Sequence, residues 1–257
     1  MKNKDNSKEI KELYQQLHKL YDFQSIINND HQLRIELKEK SYLDKIKLLG
    51  NRIKEAGKFA LASRLYKDLF DITQDWNALY EETNCLIELG RFQEALFSNQ
   101  LCWELYLETD YVDNKERYCK LLFQRALCHF YLKKLDQAEH EVQTGILENS
   151  KFIQYYPLLI SIYILNKKYT EAKKVFFKYV EPHEKWKSFL FDIYLYMVNI
   201  GYITEIVNFI IMLYDIDNQE QEKLKNMALK YYSIKNIQVM KDELFDLFGQ
   251  KNIKHLS

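Results

Sequence analysis

The feature that most constrains this chain is a segment that returns. GKFALASRLYKDL, beginning at Gly57, is echoed by GRFQEALFSNQLC at Gly90, KKLDQAEHEVQTG at Lys133, KKYTEAKKVFFKY at Lys167 and GYITEIVNFIIML at Gly201, with a weaker sixth copy, KNIQVMKDELFDL, at Lys235. Aligned, the copies place Phe59, Phe92, Leu135, Tyr169, Ile203 and Ile237 at one position, spaced 33, 43, 34, 34 and 34 residues apart. Three residues on stand Ala62, Ala95, Ala138 and Ala172, then Ile206 and Met240, a small residue recurring where two helices need to approach closely. Four beyond those are Tyr66, Asn99, Val142, Phe176, Ile210 and Leu244, of which only Asn99 is not apolar. A period in this range marks an array in which each repeat buries its apolar face only on its neighbours.

Each copy follows a stretch of apolar residues at helical spacing, such as Leu79, Leu86 and Leu89, or Leu122, Ala126 and His129 with Phe130. The repeated unit is therefore helix, tight turn, helix. Gly57, Gly90 and Gly201 fall where the first helix ends, at the left-handed cap position that favours glycine; Lys133, Lys167 and Lys235 take that place in the other copies. Only 6 Gly and 2 Pro occur in 257 residues, which leaves few residues to turn hairpins or break helices, so the chain reads as all-α. About nine extra residues between units two and three, including DYVDNKERY, lengthen the flanking helices or form an excursion on one face. Residues 7–28 read as an amphipathic helix, with Ile10, Leu13, Tyr14, Leu17 and Leu20 or Tyr21 on one stripe, that caps the first repeat. No Pro/Gly/Ser-rich linker interrupts the array. The expectation is a single domain: an N-terminal capping region over 1–42, about five repeats over 43–216, and a degenerate sixth repeat or cap over 217–257.

The first copy with its preceding helix, LLGNRIKEAGKFALASRLYKDLF, resembles the tetratricopeptide repeat. Leu49 and Gly50 match that family's Leu-Gly pair, Gly57 its turn glycine, Phe59 its aromatic, Ala62 its close-contact alanine and Tyr66 its second aromatic. Later copies keep the alanine and aromatic positions but lose the Leu-Gly pair, and the closing proline is missing throughout. The resemblance covers about residues 43–249, with units beginning near Leu43, Trp76, Cys119, Ile153, Lys187 and Gln221. It implies an α-α superhelix, a right-handed solenoid of helix-turn-helix repeats, and a non-catalytic role in holding other proteins.

Composition and motifs narrow the chemistry. Lys plus Arg number 37, as do Asp plus Glu, so no net charge draws a phosphate backbone or an anionic membrane, and nucleic acid is not the expected partner. Cys85, Cys102, Cys119 and Cys128 sit in apolar helical contexts without a CxxC and read as buried, reduced thiols. The N-terminal MKNKDNSKEIKEL lacks a signal-peptide apolar core, and Asp192, Asn199, Gly201, Glu205 and Asn208 interrupt the apolar stretch from Ser188 to Ile216. The expected location is cytoplasmic, without membrane insertion. The six histidines show no HExxH or Cys/His ligand spacing, and His129 beside Cys128 reads as packed interior; no metal site is expected. No Walker loop, GxGxxG or GxSxG is present, so neither an enzyme nor a cofactor is expected.

In tetratricopeptide proteins the first helices of successive units line a concave groove that takes an extended peptide or a partner helix. The resemblance implies the same here. Counting along each first helix gives Lys47, Asn51 and Lys54; then Asn77, Tyr80 and Asn84; then Lys120, Phe123, Gln124 and Leu127; then Ser161, Ile164, Leu165, Phe191, Leu195 and Val198. Such a face runs from polar and amide-rich to apolar. Asn side chains bond a peptide backbone, and Phe123, Leu127, Phe130, Phe191 and Leu195 hold apolar anchors, unless the C-terminal helix folds back over them. The family's carboxylate clamp, which grips a partner's C-terminus, is matched by Lys47, Asn51 and Lys120. Glu81 and Gln124 stand where it needs an asparagine and an arginine. The expected function is a scaffold or adaptor for a protein or peptide partner, as in a subunit of a larger complex. A chaperone for a secreted or membrane client, or a peptide-responsive sensor, is the alternative.

Overall fold

The computed structural model describes residues 7–20, 37–38, 40–108, 114–214, 218–234, 241–242 and 244–245. The chain packs as two compact units, Met1–Arg117 and Tyr118–Ser257. In the first lie α1 (Ser7–Leu20), α2 (Tyr42–Glu55), α3 (Phe59–Thr73), α4 (Trp76–Glu88) and α5 (Phe92–Glu108). The second holds α6 (Lys115–Tyr131, whose first turn spans the division), α7 (Leu135–Glu148), α8 (Tyr155–Leu165), α9 (Tyr169–Val175), α10 (Trp186–Asn199), α11 (Ile203–Leu213) and α12 (Asn218–Ile234).

The repeat register is visible in the backbone. Helices α3, α5, α7, α9 and α11 begin on the aligned residues Phe59, Phe92, Leu135, Tyr169 and Ile203. Every turn before them closes with the same two hydrogen bonds. In the first hairpin Gly57 N–H donates to Lys54 O at 2.9 Å and Lys58 N–H to Ile53 O at 3.0 Å. The equivalent pairs are Gly90 to Ile87 and Arg91 to Leu86, Lys133 to Phe130 and Lys134 to His129, Lys167 to Ile164 and Lys168 to Tyr163, and Gly201 to Val198 and Tyr202 to Met197. This pairing satisfies carbonyls that the end of a helix leaves open, and it demands a left-handed residue. Gly57, Gly90 and Gly201 supply it at φ 72°, 71° and 86°; Lys133 and Lys167 adopt it at 60° and 58°. A Cβ built on Gly57 meets nothing within 4 Å, so a side chain there costs only backbone strain, which explains how lysine substitutes. Lys235, Ile237 and Met240 lie outside the described residues.

Among the described residues side chains cap three helix starts. Ser41 Oγ accepts from Asp44 N–H at 3.2 Å ahead of α2, Asp75 Oδ1 accepts from Asn77 N–H at 3.0 Å ahead of α4, and Asn114 Oδ1 accepts from Arg117 N–H at 3.1 Å ahead of α6.

In the first unit α2 buries Ile46, Leu49 and Ile53 against Leu65 and Leu69 of α3 and Ala78 and Cys85 of α4. Each such aliphatic side chain contributes about 2 kcal/mol on leaving water. Leu13 of α1 joins this core, with Ile10 and Tyr14 packed on it; of the helix expected over 7–28, residues 21–28 lie outside the described residues. Gly50 lets the two helices of the hairpin touch, since a Cβ there would stand 2.8 Å from Tyr66 Cζ. Ala62, Ala95, Ala138 and Ala172 are all fully buried.

In the second unit Tyr194 Oη donates to Leu224 O at 2.8 Å, tying α10 to α12. A single wide turn, Phe176–Val180, extends α9, with Glu181 N–H donating to Phe176 O at 2.9 Å. Tyr179 on that turn stacks on Tyr156, ring centroids 4.3 Å apart. The extra residues between units two and three lengthen the helices: α5 and α6 each have 17 residues, against 14, 15 and 13 in α2, α3 and α4. Residues 109–113 lie outside the described residues. Among the described residues no helix is long and apolar enough to cross a membrane.

Candidate partner-binding face

Helical spacing places Lys47, Asn51 and Lys54 on one stripe of α2, and Asn77, Tyr80, Glu81 and Asn84 on one stripe of α4. The fold brings the two stripes together. Lys47 Nζ lies 2.6 Å from Asp75 Oδ2, and Lys54 Nζ lies 2.5 Å from Glu81 Oε2. Asn84 Nδ2 donates to the same Glu81 oxygen at 3.2 Å, and Asn77 Nδ2 donates to Asp75 Oδ1 at 3.1 Å. Asn51 Oδ1 accepts from Tyr66 Oη at 2.8 Å. Burial alone would raise Asp75, but Lys47 and the Asn77 donors outweigh it and hold the carboxyl below its ordinary range. Beside these polar groups Trp76 and Tyr80 stack at 5.1 Å, with the Arg117 guanidinium 4.9 Å from the Trp76 ring. Burial pushes the Tyr80 hydroxyl up to about 12.

These contacts decide what the face offers. Both of its lysines already hold a carboxylate of the next helix, so a partner's C-terminal carboxylate meets Glu81 rather than an uncommitted cation; the geometry opposes a carboxylate clamp. Asn51 and Asn77 are exposed and Asn84 half-buried. An amide carries both donors and an acceptor, as a peptide backbone does.

The second unit is arranged differently. Gln124 is 1% exposed and Phe191 5%, so neither is presented to a partner as the sequence suggested. Ser161, Ile164, Val198 and Phe130 are likewise buried. Part of this burial comes from contact among the first helices themselves. Phe130 and Tyr131 of α6 reach Tyr196 of α10 at 6.1 and 6.5 Å between centroids, and Lys133 Nζ sits 5.6 Å from the Tyr202 ring. Phe123 is half-buried between Phe152 and Tyr155, at 5.8 and 5.7 Å. Lys120, Leu127, Leu165 and Leu195 are half-buried too.

Sequence reasoning missed a polar cluster in the same unit. Arg125 Nε donates to Glu141 Oε1 at 2.5 Å, and His129 Nδ1 lies 2.9 Å from Glu141 Oε2, with the Glu141 side chain only 8% exposed. A cavity of about 320 Å³ is lined by these three with Asp136, Gln137 and His140. The signal was the i, i+4 pair Arg125 and His129 on α6, facing the one acid in the apolar stripe of α7. His129 is thus a hydrogen-bond partner of Glu141; its neighbour Cys128 is buried, its thiol pushed up to about 12 by burial. No group of three or more His, Cys, Asp or Glu among the described residues is placed to hold a metal ion.

No protein-family model matches the chain, and no curated protein sequence matches it. Solved structures do. A thermophilic TPR protein from Thermus thermophilus superposes with a TM-score of 0.52 at 14% identity, covering 80% of this chain and 98% of that one. A Podospora anserina putative kinesin light chain protein of nearly identical TPR-like repeats gives 0.50 at 12% identity, covering 73% and 96%. At this identity the likeness is one of fold: an all-α solenoid of tetratricopeptide-like helix-turn-helix repeats.

Proposed function

We propose that the chain is a protein–protein interaction scaffold or adaptor that holds a segment of its partner on the first-helix face of its first unit, without a catalytic step. The observation that carries this reading is the row of amides, Asn51, Asn77 and Asn84, beside the Trp76–Tyr80 ledge, on a face whose lysines are neutralised from within. Amides supply main-chain pairing to an extended segment and the aromatic ledge supplies apolar contact area. Lys120, Phe123, Gln124, Leu127, Phe191 and Leu195 complete the sequence-predicted set. Of these the half-buried Lys120, Phe123, Leu127 and Leu195 remain candidates for a partner's side chains, whereas Gln124 and Phe191 are buried.

The test is selection of random displayed dodecapeptides on the intact chain, followed by fluorescence polarisation with an enriched peptide. Replacing Asn77 and Asn84 together by Ala is expected to weaken binding about tenfold, roughly 1.4 kcal/mol, with little change in melting temperature. Unchanged affinity, or no enrichment at all, defeats the reading.

A further inference from the structure

The chain's overall neutrality hides a basic strip in the second unit. Residues 167–187 carry seven lysines against three glutamates, a surplus of four positive charges in a chain whose net charge is zero; the remainder carries four negative charges in excess. Lys167, Lys174, Lys178 and Lys185 are exposed, and Lys173 and Lys187 half-buried. Lys174 and Lys178 share one stripe of α9 and its wide turn. Among the described residues, none of these six ammonium groups lies within 4.0 Å of a carboxylate, whereas the neighbouring Lys168 pairs with Glu139 at 3.4 Å. Aromatic rings hold three of them instead: Lys173 over Phe177 at 6.0 Å, Lys178 over Tyr179 at 4.9 Å and Lys187 over Trp186 at 5.7 Å. A ring fixes an ammonium group without neutralising it.

We infer that this strip is a docking surface for an acidic polypeptide segment, one rich in Asp and Glu. A carboxylate ladder of a few residues covers the strip alone. Lys174 and Lys178 are separated by one turn, about 6 Å, so carboxylates four residues apart on a helical partner match them. Larger anions fit less well. At physiological ionic strength a charge acts over about 8 Å, and a nucleic-acid backbone or an anionic bilayer extends well beyond the strip, where the rest of the second unit has 12 Lys and Arg against 13 Asp and Glu. No arginine follows Arg125 in the sequence, so the strip also lacks the forked donors that grip phosphate.

The experiment titrates the full chain into fluorescein-labelled octaglutamate, read by anisotropy, beside labelled oligouridylate and phosphatidylserine-containing vesicles. Octaglutamate is expected to bind saturably at low salt and to weaken about tenfold or more between roughly 50 and 300 mM NaCl. Lys174→Glu with Lys178→Glu is expected to weaken it a further tenfold or so, and the double alanine variant about threefold, while Lys58→Glu with Lys67→Glu in the first unit leaves it unchanged. Circular dichroism confirms that each variant is folded. Absence of octaglutamate binding, equal loss in the first-unit variant, indifference to reversal at 174 and 178, or tighter binding to the RNA or the vesicles overturns the inference.

Discussion

The phenol ring of Tyr155 lies directly against the backbone of Gly145. A Cβ on Gly145 would stand 2.0 Å from Tyr155 Cζ and 2.2 Å from its hydroxyl oxygen, which itself donates to Cys119 O at 2.6 Å. One glycine therefore lets α8 reach across α7 to α6. Gly145→Ala must expel a fully buried ring and is expected to destabilise the chain by about 3 kcal/mol or more in urea unfolding. Gly50→Ala, where the nearest atom is 2.8 Å away, should cost roughly 1–2 kcal/mol. Equal costs would refute the ranking.

The two lysine turns offer the opposite effect. Lys133 and Lys167 hold positive φ without a glycine's freedom. Replacing either by Gly relieves that strain, partly offset by the extra freedom glycine gives the unfolded chain, and is expected to gain about 0.5–1 kcal/mol. Differential scanning calorimetry should show a raised Tm for each variant and a lowered one for Gly201→Lys.

Glu141 and Glu81 separate a buried ion cluster from a more exposed pair. Glu141→Gln removes the carboxylate, its side chain 8% exposed, that Arg125 and His129 share, and should cost about 3 kcal/mol. The Lys54–Glu81 pair leaves each side chain about a quarter exposed, and a double-mutant cycle should give a coupling of about 1 kcal/mol or less, falling with salt. A larger coupling for Lys54–Glu81 than the loss at Glu141 would contradict this assignment.

Asp192 gives the stability a pH dependence. Burial raises its carboxyl to about 6, an effect that Lys241 offsets only in part. The folded chain therefore binds this proton more tightly than the unfolded chain, and ionisation above about pH 6 destabilises it. This contribution is fully favourable below about pH 4, the ordinary carboxylate range, and is lost as pH rises through about 6, by roughly 2–3 kcal/mol at about pH 7.5. Asp192→Asn is expected to raise Tm at about pH 7.5 and to flatten its change between about pH 5 and that value. A wild-type Tm that falls on acidification across that window, with the variant unchanged, counts against the site.

What the sequence disclosed and what it withheld divide along a physical line. Phe59 through Ile203 could be placed at helix starts because the turn's left-handed residue and the period of the alanines are both local constraints. The pairing of Lys54 with Glu81 was not legible, since it depends on the rotation of α4 about its axis. The contact of Phe130 with Tyr196 was hidden for a similar reason: it arises from how three successive hairpins stack, which no single repeat encodes. That contact also holds Phe130, one of the anchors expected in the groove, in the interior. Gly145 gave no warning because glycine recurs nowhere else at that position of the repeat.

The four cysteines turn this interior into an instrument. Cys85 and Cys102 are buried in the first unit, and Cys119 and Cys128 in the second. A thiol reagent can attack only after local or global opening, so its rate at each sulfur measures how often the surrounding helices part. Pulsed alkylation followed by mass spectrometry would thus time the breathing of the two units separately in unmodified protein. A fifth cysteine, introduced on the surface, would accept a dye while the native four stay silent.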